Sequence, residues 1–87
     1  MNIEYRAAFL KDIERLPVFA RQAILATLLE METAIKLTDL VNVKKLKGCG
    51  DDIYRIRVGQ YRLVWHWDKE KQIITMLEAA DRKDIYK

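Results

Sequence analysis

The hydrophobic pattern changes period once along the chain, near residue 48: before it apolar residues recur at helical spacing, after it they alternate. Phe9, Ile13 and Leu16 stand at i, i+4 and i+7 and predict a helix over residues 7–16. Ala20, Ile24, Leu28, Met31 and Ile35 follow i, i+4, i+8, i+11 and i+15 and predict a second helix from Val18 to about Ala34. Pro17 ends the first helix or opens the second, since proline suits a first helical turn. Two helices joined so tightly form a helical hairpin, and its apolar stripe must pack on another layer.

The second half of the chain supplies that layer. Ile53 to Val58 alternates, Gly59-Gln60 interrupts, and Tyr61 to Trp67 alternates again. Glycine at the first position of a two-residue loop fits a type II′ hairpin turn. Asp68 to Lys71 is a second polar turn, and residues 72 to about 80 form a further strand. Ile3 and Tyr5, at period two, predict a strand at the start. The expected class is α+β: an N-terminal strand and a helical hairpin packed on an antiparallel sheet of about four strands. A short charged tail, Asp81 to Lys87, follows, and residues 1–87 read as a single domain.

The hairpin register carries chemistry. A loop at 59–60 sets Val58 opposite Tyr61, Arg57 opposite Arg62, Ile56 opposite Leu63, Arg55 opposite Val64 and Tyr54 opposite Trp65. One face then holds Tyr54, Ile56, Val58, Tyr61, Leu63 and Trp65, the expected core face. The other holds Arg55, Arg57, Arg62, Val64 and His66. Like charges directly opposite in an antiparallel pair are destabilising by up to ~1 kcal/mol. The arginines either splay into water and pair with acids such as Asp51, Asp52 or Glu78, or they form an anion site. Guanidinium groups suit the second role, because they bind phosphate through planar forked hydrogen bonds and remain charged at any cellular pH. Lys44, Lys45 and Lys47 form a basic stretch before Gly48 that reads either as a solubilising loop or as a contact to a nucleic-acid backbone.

Composition narrows the classes. Of 87 residues, 51% are hydrophobic and 33% charged, enough apolar material for a core and too much for a disordered chain. Sixteen Lys and Arg against thirteen Asp and Glu give a formal net charge of +3, which permits an anionic partner. One cysteine, Cys49, excludes an internal disulfide and points to a reducing compartment. With one histidine, His66, almost nothing remains for a metal cage, so no metal or other cofactor is expected. No apolar run approaches a membrane span and the start lacks a signal-peptide core, so the expected location is cytoplasmic with no membrane partner.

Three blocks, in order, carry a family resemblance: Lys45-Leu46-Lys47-Gly48, then Tyr54 through Val64, then Arg82-Lys83-Asp84-Ile85-Tyr86. Over nearly its whole length the chain resembles the RelE/ParE superfamily of type II toxin–antitoxin toxins. The RelE branch implies a ribosome-dependent messenger RNA endonuclease acting in the ribosomal A site. The ribose 2′-hydroxyl attacks the adjacent phosphate without a metal. The resemblance gives Arg62 the charge of the pentavalent phosphorane, Arg82 the leaving 5′-oxygen, and Tyr86 the stacking or orienting of a codon base. Arg55 and Arg57 correspond to further basic positions that bind the scissile phosphate.

The sequence departs from that branch in two places. Arginines stand at 55 and 57 where well-studied members have lysines, and arginine is a poor proton acceptor at neutral pH. Asp81 stands where many relatives have histidine. Candidates for the general base are Asp81, His66 and Tyr86, in that order. The resemblance also implies a cognate antitoxin, the ribosome and mRNA as partners, and operator DNA only through the antitoxin complex. The ParE branch implies instead a gyrase poison acting by protein contacts, and a third reading is a degenerate antitoxin-binding module.

Overall fold

The computed structural model describes residues 1–48 and 52–81. Strand β1 (Asn2–Tyr5) leads into helices α1 (Ala7–Glu14) and α2 (Val18–Thr33), and a single 3-10 turn (Leu37–Asp39) precedes strands β2 (Val43–Lys45), β3 (Ile53–Val58), β4 (Tyr61–Asp68) and β5 (Ile73–Asp81). The five strands form one sheet in the order β1-β5-β4-β3-β2.

Both helices form where the period predicts them. Helix α1 stops at Glu14, and Leu16 donates its N–H to the Ile13 carbonyl in the closing turn. Pro17 sits directly before α2, where its fixed φ and missing N–H cost nothing. Ile35, placed on the helical stripe by spacing, lies beyond the end of α2 and is 81% exposed, because Ala34 has already turned to an extended conformation. The helices cover one sheet face. Phe9, Ala20, Ile24, Leu28 and Met31 pack with Ile56, Tyr61, Leu63, Trp65, Trp67, Ile74, Met76 and Ala79 to form the core. Trp67, at the strand end, is buried with the rest. Tyr54 stacks on Trp65, with ring centroids 4.9 Å apart.

The sheet differs from the sequence expectation in two respects. It has five strands, because the basic segment from residue 43 is an edge strand paired with β3 and not a loop. It is also mixed: β1 runs parallel to β5 while the other pairs are antiparallel. The path through two helices supplies the crossover that a parallel neighbour requires. The β3–β4 register is the one the turn dictates, with Arg57 opposite Arg62 and Val58 opposite Tyr61. Gly59 takes φ 60° while Gln60 stays out of the positive-φ region, the type II′ combination.

One irregularity redirects β5. Val64 pairs with Glu78 but Trp65 pairs with Met76, so Leu77 is an extra residue. Where the ladder is disturbed, Asp12 of α1 accepts a hydrogen bond from the Ala79 N–H at 3.0 Å and ties the helix to the strand. Helix α2 keeps a second apolar surface on its outer side, with Val18, Phe19, Leu25 and Leu29 all more than half exposed. Among the described residues no helix is long and apolar enough to cross a membrane.

Candidate functional site

The sheet face opposite the helices collects the basic residues. Arg55 and Arg57 project from β3 and Arg62 from β4 by strict alternation, and β2 adds Lys44 opposite Arg55. Arg57 and Arg62 are directly opposed, which puts their Cβ atoms ~5 Å apart, and Arg55 is two residues along, ~7 Å away. Lys44, Lys45, Leu46, Lys47, Arg55, Arg57 and Arg62 line a cleft of about 340 Å³. Of the seven described residues that line it, six are cationic and none is acidic. The cleft exists because the Lys44–Lys47 segment is a strand and turn laid beside β3: Leu46 donates its N–H to the Ile53 carbonyl at 2.8 Å and continues the ladder.

Local bonds fix parts of this surface. The Arg55 guanidinium donates to the Asn42 carbonyl, which also accepts the Arg57 N–H at 3.3 Å. Asn42 holds φ 63°, a left-handed conformation that asparagine tolerates better than most residues. Lys45 lies opposite Tyr54, at the helix-side register, and its ammonium is 3.9 Å from the Asp52 carboxylate. Asp52 thus neutralises a lysine and not the arginines. The Nε of Arg57 is buried without a hydrogen-bond partner among the described residues. A half-buried cation with an unused donor, facing a second arginine, is arranged to receive an anion with several acceptor oxygens.

The remaining candidates fall elsewhere. Asp81 pairs with Tyr61, so its register position is on the helix side of the sheet, and its carboxylate accepts a hydrogen bond from the Gln60 amide at 3.0 Å. It lines a separate cleft with Asp12, Arg15 and Tyr61. His66 shares the arginine face by parity but sits four residues beyond Arg62, ~13 Å along the strand, opposite Ile53 and Thr75. Asp51, Cys49, Arg82 and Tyr86, together with the rest of the tail, lie outside the described residues. Among the described residues no group of three or more potential ligands is placed to hold a metal ion. Reading the sequence alone missed the apolar cleft beside the basic one, lined by Ile53, Val64, Leu77 and Glu78 with Leu46, Lys47 and Arg62. The adjacent apolar pair Met76-Leu77, which breaks strict alternation, was its one signal.

The overall fold is shared with known proteins. No protein-family model matches the chain. Toxin RelE3 of Methanocaldococcus jannaschii is 36% identical over 87 residues, covering 99% of this chain and 96% of that protein. The crystal structure of a RelB-RelE antitoxin-toxin complex from Methanococcus jannaschii matches with a TM-score of 0.81 at 29% identity, covering 95% of this chain and 94% of the matched one. The archaeal RelE-RelB complex from Pyrococcus horikoshii gives 0.76 at 26%, with 93% of each chain covered. The fold and these likenesses define a toxin of a type II toxin–antitoxin system, and the chain belongs to the RelE family of such toxins.

Proposed function

We propose that the chain is a ribosome-dependent messenger RNA endonuclease whose basic cleft holds the scissile phosphate. The observation that carries this reading is the cleft itself, with six cations, Arg57 facing Arg62, and no acid among its described lining residues. Such a surface is unfavourable for folding and favourable for an oxyanion. In the reaction the ribose 2′-oxygen bonds to phosphorus, the bond to the 5′-oxygen breaks, and the two negative charges of the phosphorane develop beside the arginines. Arg62 and Arg57 stabilise that charge, Arg55 positions the phosphate, and Lys44 and Lys47 hold the flanking backbone. Arg82 serves the leaving oxygen and Tyr86 a codon base. Arg55 and Arg57 cannot accept the 2′-hydroxyl proton at neutral pH. The register of Asp81 puts it on the helix side of the sheet, away from the arginine face, where it accepts from the Gln60 amide. This assigns the proton transfer to a group outside the cleft's described lining, with Tyr86 the remaining candidate from this chain.

The cognate antitoxin is the second partner. Two surfaces suit it: the outer apolar side of α2 at Val18, Phe19, Leu25 and Leu29, and the basic cleft, whose repulsion an acidic segment relieves. The structural relatives named above are themselves toxin–antitoxin complexes.

The test is a purified translation system with ribosomes stalled on a defined message. The wild-type chain is expected to cut in the A site and leave a 2′,3′-cyclic phosphate or 3′-phosphate and a 5′-hydroxyl. Arg62→Ala is expected to lose at least 100-fold in rate, ~3 kcal/mol of transition-state stabilisation. Equal cutting by the two proteins refutes the assignment of the cleft.

A further inference from the structure

The apolar cleft of about 470 Å³ beside the basic one shares Leu46, Lys47 and Arg62 with it. Its volume falls within the ~300–1,000 Å³ of small-ligand pockets. Ile53, Val64 and Leu77 supply apolar lining, and Leu77 is there because it is the extra residue of the β5 irregularity. Glu78, opposite Val64 on the arginine face, is the one acid among the described lining residues. Its exposed carboxylate makes no hydrogen bond or ion pair among the described residues.

We infer that this second cleft is a nucleobase subsite and that Glu78 is its reading residue, selecting bases that present an amino group. The inference rests on the nuclease reading only in taking RNA as the anionic partner. Continuity of the two clefts through Arg62 and Lys47 sets the geometry: a phosphate held by the arginines leaves the attached nucleoside at the apolar floor. An unpaired base offers a flat apolar face to Val64 and Leu77 and a polar edge to the rim. A carboxylate only accepts hydrogen bonds. Adenine, cytosine and guanine each present an amino donor to it. Uracil presents one imino donor between two carbonyl oxygens, both of which face the carboxylate unfavourably. Glu78 therefore disfavours uracil at this position.

The test is a methyl-resolved NMR titration of the full chain with the 3′-monophosphates of adenosine, cytidine, guanosine and uridine, with inorganic phosphate as reference. The methyl signals of Ile53, Val64 and Leu77 are expected to move with the first three nucleotides, and uridine 3′-monophosphate is expected to bind about fivefold more weakly. Inorganic phosphate is expected to leave those methyls unmoved. In Glu78→Gln, whose amide both donates and accepts, the discrimination is expected to shrink to within about twofold while binding persists. Methyls that stay still with every nucleotide overturn the inference and give the cleft to another occupant, residues 82–87 or an antitoxin segment. An unchanged uridine penalty in Glu78→Gln overturns the role of Glu78. Transcript mapping separates this from the parent reading. Cuts in RNA without methyl shifts refute the subsite alone, whereas base-selective shifts in a chain that cuts nothing refute the nuclease alone.

Discussion

Replacing Arg57 by methionine is expected to make the protein more stable and less active. Two unfavourable features of the native structure disappear with the guanidinium. The first is the directly opposed Arg57–Arg62 pair, which costs ~0.2–1 kcal/mol in an antiparallel ladder. The second is the buried Nε of Arg57, a donor without a partner among the described residues; an unsatisfied buried donor costs ~1–3 kcal/mol. Methionine keeps an unbranched stem of similar reach, so the packing of the arginine's methylenes is largely retained. A gain of ~1–2 kcal/mol is expected, taking the lower part of the range because Arg57 is only half-buried. For a chain of 87 residues that corresponds to a rise in melting temperature of ~5–15 °C. Thermal and urea unfolding of both proteins reads it directly. The electrostatic part identifies itself through salt: between 0.01 M and 1 M the Debye length falls from ~30 to ~3 Å, so the gap between variant and wild type should narrow. A variant less stable than wild type, or a gap that ignores salt, would refute the claim that the cleft is held against repulsion.

Other perturbations probe separate links. Asp12→Ala removes the acceptor for the Ala79 N–H beside the β5 irregularity and is expected to cost ~1–3 kcal/mol in urea unfolding, with Asp12→Asn recovering part of it; an unaffected Asp12→Ala would mean the bond contributes nothing. Gly59→Ala places a Cβ at φ 60° and is expected to destabilise by ~1 kcal/mol or more, read as a lower melting temperature. Leu63→Ala opens a hole in a fully buried position and is expected to cost ~2–5 kcal/mol. The phenol of Tyr5 is raised above its ordinary 10.0 by burial and, after that, by Glu32. A raised acid stabilises the fold below its unfolded pKa and loses that contribution as pH rises through the folded value, so stability should fall above about pH 10. Tyr5→Phe is expected to flatten that decline, and identical slopes for the two proteins between pH 9 and 11 would contradict the assignment.

The legible parts of this fold are those with a long or sharply punctuated signal. Helix α2 spans sixteen residues with four buried positions at helical spacing, and Gly59-Gln60 fixes the hairpin register to the residue. The arginine face follows from that register alone. Strand β2 was not legible, because three residues show no period and two of them are lysines, which strands disfavour. Its lysines have a physical reason to be there: a charged short edge discourages pairing with other chains. The parallel placement of β1 depends on the crossover and leaves no mark in its four residues. The side of the sheet that Asp81 takes was not legible for a related reason. An extra residue at Leu77 shifts the alternation of β5, and only the pairing with β4 reveals it. The arginine cluster was legible because the hairpin register alone puts three like charges on one face. The apolar cleft was not, because it needs residues from the turn, β3, β4 and β5 brought together.

The most direct measurement is primer extension on a defined transcript after brief induction of the chain in cells, beside Arg62→Ala with its folding confirmed. Discrete cuts confined to translated frames, present with the wild type and absent with the variant, are the predicted result. Intact transcripts accompanied by growth arrest would contradict the nuclease reading and point to a target such as gyrase, and cuts that persist in Arg62→Ala would contradict the assignment of the cleft.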